Sequence, residues 1–151
     1  MSDPLSVASA IIGIIGVTGK VCSIIYQFGG DFLSASETAN NVVTEAQAIS
    51  TILSSLGLLL QDERLHNRGE YINIRDFTAT FTDCALAFNE LQNLLSFVPG
   101  DRTMGKRERL QWVKKEGDVK VLLQRLSNHK SSLSCMLAII QRQAIFVPHT
   151  L

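Results

Sequence analysis

A chain of 151 residues with 46% apolar and 19% charged side chains, three prolines and zero formal net charge suits one domain with a sizeable core; it is too apolar for disorder and too charged for a multi-span membrane protein. Three widely spaced cysteines, Cys22, Cys84 and Cys135, form no disulfide framework or zinc spacing and read as small core residues in a reducing, cytosolic compartment. The charge cancels only in sum: residues 1–100 hold four Lys/Arg against ten Asp/Glu and residues 101–151 hold ten against four, so the last segment docks on an acidic bundle, offers a basic face to phosphates, or is simply solvated.

The first predicted helix covers about residues 4–28. Asp3 or Ser2 caps it, Pro4 suits its first turn, and Gly29-Gly30 ends it. An acid stands where a signal peptide has its basic region, and Ala8 and Ala10 precede the apolar run, so secretion is not expected. Lys20 is the single charge from Leu5 to Gly30, and Ile11, Ile12, Ile14, Ile15, Val17, Val21, Ile24 and Ile25 leave no clean polar face. A helix apolar on all sides is a central core helix or a membrane segment, and about 20 residues suffice to span. Gly13, Gly16 and Gly19 lack the spacing of a dinucleotide or phosphate loop. They make either a smooth packing face inside the bundle or a face for helix association in lipid.

The second helix is predicted over about 34–66, opening on the capping box of Ser34 and Glu37. Val42, Ala46, Ile49, Leu53, Leu56 and Leu60 recur by four and three, the seam of a bundle helix. The third covers about 73–98, with Phe77, Phe81, Cys84, Phe88, Leu91, Leu95 and Val98 as its seam and Pro99-Gly100 as its stop. The phenylalanines at this spacing read as core and not as a ligand pocket. The fourth covers about 107–144, where Val119, Leu126, Leu133 and Ile140 repeat every seven, Leu122 and Met136 widen the face, and Gly117 marks a bend or break. The prediction is a single all-α domain over 1–151, an antiparallel bundle of about four long helices with an apolar N-terminal helix.

Candidates for chemistry are few. Glu63 and His66 have the Glu-x-x-His form of di-iron bundles but lack a second copy. His129 falls on the seam side of the fourth helix and reads as a hydrogen-bonded core or boundary histidine. No catalytic pairing can be argued, so no enzyme, cofactor or metal is expected. Lys106, Arg107, Arg109, Lys114 and Lys115 surround Trp112, a combination that suits an anionic membrane surface. It also suits a salt-bridged helix start, although cations there oppose the macrodipole. Nucleic acid fits worst, because the domain as a whole is not basic.

Two stretches carry a resemblance. The opening Asp3-Pro-Leu-Ser-Val-Ala-Ser-Ala-Ile-Ile-Gly13, and Arg109-Leu-Gln-Trp-Val-Lys-Lys-Glu116 with the run from Leu122 to Leu137, resemble the N-terminal domains of fungal NOD-like receptors and ankyrin-repeat proteins. The resemblance covers nearly the whole chain and implies a HeLo-like helical bundle, similar to cell-death execution domains. It implies a membrane-targeting cell-death or heterokaryon-incompatibility effector or signalling domain, cytoplasmic at rest. On activation such a domain oligomerises and releases its apolar N-terminal helix, here residues 4–28, into the plasma membrane. The expected partners are further copies of the chain, anionic lipids, and a separate NOD-like receptor or sensor chain. Such domains continue into a nucleotide-binding and repeat region or end in an amyloid-forming motif; with neither before Leu151, the expectation is an excised domain or a small stand-alone protein. The alternative expectation is a non-lytic helical adaptor that self-associates or docks on a partner protein.

Overall fold

The computed structural model describes residues 4–28, 37–60, 74–98 and 105–145. They form four α-helices: α1 Pro4–Phe28, α2 Glu37–Leu60, α3 Ile74–Leu94 and α4 Lys106–Ile145, with no strand among the described residues. The all-α bundle expected from periodicity is the fold. Helix α1 has the predicted bounds, and α4 is one residue longer at each end than expected. Helix α3 gives way to turns beyond Leu94, where Val98 N–H donates to Leu95 O at 3.1 Å. Ser34 and residues 61–66, expected in the second helix, lie outside the described residues.

Gly117 does not break the chain into two helices: α4 runs continuously for 40 residues, about 60 Å at 1.5 Å per residue. Its start is built by local chemistry. Gly105 N–H donates to Glu108 Oε2 at 3.0 Å, and Arg109 N–H donates to Gly105 O at 3.1 Å. This is the reach-back half of a capping box, and the carboxylate also sits favourably at the positive end of the helix dipole.

Each helix buries one stripe. In α2, Val42, Ala46, Ile49, Leu53 and Leu56 have no exposed surface; in α3, Phe81, Cys84, Phe88 and Leu91 are buried, joined by Ala87 and, in the turn that follows, Leu95. Val119, Leu126, Leu133 and Ile140 do the same for α4, with Leu122 beside them. Helix α1 has a seam that composition concealed: Val7, Ile11, Ile14, Thr18, Val21 and Ile25 are buried, spaced four and three throughout. Thr18 is tolerated there because its hydroxyl donates to Ile15 O at 2.7 Å, a local bond that leaves no unmet polar atom.

The helices stand at four corners. Helix α1 packs on α2 and α3, and α4 packs on α2 and α3, which leaves α1 and α4 diagonally opposed. Ile11, early in α1, lies 3.8 Å from where a side chain on Gly57, late in α2, would begin. Tyr26 Oη, late in α1, accepts a hydrogen bond from Gln47 Nε2 at 3.1 Å, so this pair is antiparallel. Helices α3 and α4 are antiparallel too, with Phe97 against Lys115 and Glu90 against Arg125. The starts of α1 and α3 lie side by side along a groove lined by Val7, Gly13, Val17, Thr78 and Leu86. The bundle is thus two antiparallel pairs, with α1 and α3 running in parallel between them.

Candidate interaction surfaces

The residues expected to insert or self-associate divide into three sets around α1. Ile11, Ile14, Val21 and Ile25 are the buried seam; Ile15, Val17 and Ile24 flank it half-buried; Ile12 stands 71% exposed. Helix α1 is therefore a corner helix and not the all-round buried centre of the bundle. Gly13, Gly16 and Gly19 are exposed, and a Cβ placed on any of them would meet nothing within 4 Å. This overturns the reading of these glycines as a packing face inside the bundle. Ser9, Lys20 and Ser23 share their exposure with Ile12 and Tyr26, so the outward side of α1 sets small residues among a few long side chains.

Two helices, over Val7–Tyr26 and Glu37–Leu59, are long and apolar enough to cross a membrane by length and composition, with mean hydropathies of 1.9 and 1.4. Only 28% of each stretch is buried in the bundle. For α1 that share is one stripe against two neighbours, and α4 packs without it.

The basic cluster at the start of α4 is also split by the fold. Trp112 is 2% exposed, among the largest buried side chains. Its expected role at a lipid interface is corrected, because in this conformation the indole lies in the core. The α-helical period puts it four residues after Glu108 and seven before Val119, on the inward stripe. Lys115 is half-buried and holds its ammonium 5.2 Å from the centre of the Phe97 ring, a cation–π contact that ties it to the end of α3. Lys106, Arg107, Arg109 and Lys114 are exposed.

Of the charge expectations, docking on acidic neighbours is met in the middle of α4. There Arg125 Nη1 meets Glu90 Oε2 on α3, and Lys130 Nζ meets Glu45 Oε1 on α2, each at 2.9 Å. These cations dock the helix on acidic neighbours. In the first three turns Lys115 is tied to Phe97, and Lys106, Arg107, Arg109 and Lys114 are exposed. Sequence reasoning missed what lies among them: Leu110, Val113 and Val121 are each 60–66% exposed. The signal was present as a second apolar period, offset from the core seam and so easily taken for noise.

No group of three or more potential metal ligands occurs among the described residues, and Glu63 and His66 lie outside them. His129 is half-buried with its Nε2 unpartnered. Burial holds its imidazole below the usual value, while Asp83 pulls it up and Arg125 pushes it down. Of the three cysteines read as core, Cys84 is buried, with its thiol pushed up to about 12 by desolvation, Cys22 is half-buried, and Cys135 is exposed. The core reading is corrected for Cys135, which lies on the outward side of α4 away from the seam of Leu126 and Leu133.

Compared with protein-family models, curated proteins and solved structures, the chain matches none.

Proposed function

We propose that this chain acts by contact, as a membrane-targeting effector domain of the HeLo-like kind its sequence resembles, with α1 as the segment that leaves the bundle. The observation that carries this reading is the placement of the most apolar helix. Helix α1 has the length and hydropathy of a membrane span, yet it is held by a single stripe at the corner opposite α4. A helix so placed can be exchanged from bundle to bilayer while the α2, α3 and α4 contacts persist. Its open glycine face then allows close helix–helix approach in lipid, where small residues drive association. Membrane attack in fungal cell death or incompatibility, with oligomerisation and a separate receptor chain as trigger, extends the same proposal from the resemblance.

The test is a reversible clamp. Ile11→Cys with Gly57→Cys, in a Cys135→Ser background, joins α1 to α2 where Ile11 lies 3.8 Å from a side chain begun on Gly57. Dye release from anionic liposomes is expected from the reduced protein and not from the oxidised one. Equal release in both states shows that α1 need not leave, which overturns the proposal. One observation favours a second reading, a non-lytic adaptor: the open Gly13, Gly16 and Gly19 face could receive a partner helix without any unfolding. Folded protein that releases no dye in either state, but self-associates through this face, supports that alternative.

A further inference from the structure

We infer that the outward face of the first four turns of α4 is a docking surface for an anionic lipid bilayer, engaged by the intact bundle before α1 moves. Two adjacent rows spaced by four residues form it: Lys106, Leu110 and Lys114, and beside them Arg109, Val113, Gly117 and Val121. Side chains four apart lie one above the other on a helix, so the rows run together for about 22 Å. Leu110, Val113 and Val121 are 60%, 66% and 62% exposed. Lys120 borders the Val113 row, and Arg107 lies beyond Lys114 on the other flank.

The charge of this segment favours an anionic occupant. Between Lys106 and Val121 there are six Lys/Arg and three Asp/Glu. Glu108 is turned inward to cap Gly105, and Glu116 is half-buried and 3.7 Å from Lys120. Asp118 alone is an exposed carboxylate, and with Val121, at the edge of the face, it lines the groove toward α3 beside Glu90 and Arg125. The apolar side chains standing among the cations have a second consequence. Phosphate binding alone has no use for them, whereas a bilayer takes leucine and valine into its acyl boundary while lysine stems reach back to the headgroups.

The shape argues for a bilayer over an acidic protein. Protein interfaces concentrate their energy in aromatic or arginine anchors seated in pockets. This face carries no exposed aromatic residue, its arginines Arg107 and Arg109 stand exposed at its margins, and Gly117, with open space around it, keeps it smooth between Val113 and Val121. A soft planar surface accommodates that form. The inference deepens the membrane reading proposed above by naming its lipid class and first contact, and it is read by binding and not by leakage, so each can fail alone.

The experiment is flotation of the full chain with vesicles of phosphatidylcholine alone or of equal parts phosphatidylcholine and phosphatidylserine. Binding is expected only to the second. Each of Lys106→Ala and Lys114→Ala is expected to weaken it about fivefold, and Leu110→Ser with Val113→Ser roughly tenfold or more. All four positions are solvent-exposed, and circular dichroism of each variant checks that the helices persist. Ile12→Ser, an equally exposed apolar site on the opposite corner, is expected to leave binding unchanged. A polarity-sensitive fluorophore on the cysteine introduced by Gly117→Cys, in a Cys22→Ser, Cys135→Ser background, reports the approach of the face from within it, since Gly117 is exposed with open space around it. Docking without dye release supports this inference even if the effector reading fails. Loss of docking by Ile12→Ser as severe as by the α4 changes overturns it. So does absence of vesicle binding by protein that instead binds poly-glutamate through Lys106 and Lys114, because the face is then a protein-docking surface.

Discussion

The register of α1 is the feature on which the rest depends, and two neighbouring isoleucines test it. Ile11 is 3% exposed against α2, whereas Ile12 is 71% exposed. Ile11→Ala removes three buried carbons, at about 0.8 kcal/mol each in transfer, and leaves a void that the helix–helix contact closes only in part. The sum is about 3 kcal/mol, inside the usual range of about 2–5 kcal/mol for such truncations. For a chain of this length each kcal/mol moves the melting temperature by about 2–4 °C, so the expected fall is roughly 6–12 °C. Ile12→Ala removes the same atoms from water and gains a few tenths of a kcal/mol in helix propensity. Its stability is expected to stay within about 0.5 kcal/mol of the parent. Urea unfolding followed by circular dichroism measures both, with an unchanged m-value showing that the unfolding unit is the same. Equal losses at the two positions, or a larger loss at Ile12, would refute the seam of Val7, Ile11, Ile14, Thr18, Val21 and Ile25 and the corner placement built on it.

Three further outcomes are expected. Trp112, being buried, is the only tryptophan in the chain; its fluorescence should resist acrylamide quenching in the folded protein, with or without anionic vesicles, and easy quenching of the folded state would place the indole outside the core. The pair of Lys130 with Glu45 is less exposed than that of Arg125 with Glu90, and Glu45 Oε2 already lacks a partner. A double-mutant cycle should therefore give a coupling near the top of the range of about 0.2–1 kcal/mol known for surface pairs, and that of Arg125 with Glu90 near the bottom; the reverse order would contradict the burial. Because burial lowers the folded-state value of His129, the unfolded chain takes up a proton that the folded chain resists. Its contribution to stability is full above the ordinary value near 6.5 and declines as pH falls through 6.5 toward the folded value. His129→Gln should remove that part of the acid slope, and superimposable melting curves for parent and variant from pH 7.5 to 5 would show that the imidazole is not desolvated.

Much of this bundle was legible in the chain because its seams are written in two alphabets. In α2 and α3 the apolar positions alternate with Asn, Thr, Glu, Asp and Ser, so the period of four and three identifies the buried residues individually. Helix α1 has no such contrast. Its buried side is isoleucine and valine with Thr18, and its open side is Gly13, Gly16, Gly19, Ser9 and Ser23 with Ile12, Lys20 and Tyr26, so the two sides differ more in side-chain size than in charge. Its orientation comes from the shape of α2 and α3, which accept Ile11 and Ile14 and leave Ile12 and Gly13 outside.

The division between local and tertiary information is similar in α4. Composition alone established an excess of cations in the last third of the chain, and periodicity established the stripe of Val119, Leu126, Leu133 and Ile140. It did not extend that stripe back to Trp112, since one aromatic among five cations reads equally well as an interfacial residue. Packing decided the matter, because a large indole at the inward position of the helix buries more apolar surface against the end of the bundle than water or headgroups could offer. The same packing decided which cations dock and which stay free to meet a surface: Arg125 and Lys130 lie opposite glutamates on α3 and α2, whereas Lys106 and Lys114 lie on the far side of the helix. Residue type and spacing determine that helices form and where most of their seams run. Which corner each helix takes, and so which apolar and charged groups remain outside, follows only from fitting the four surfaces together.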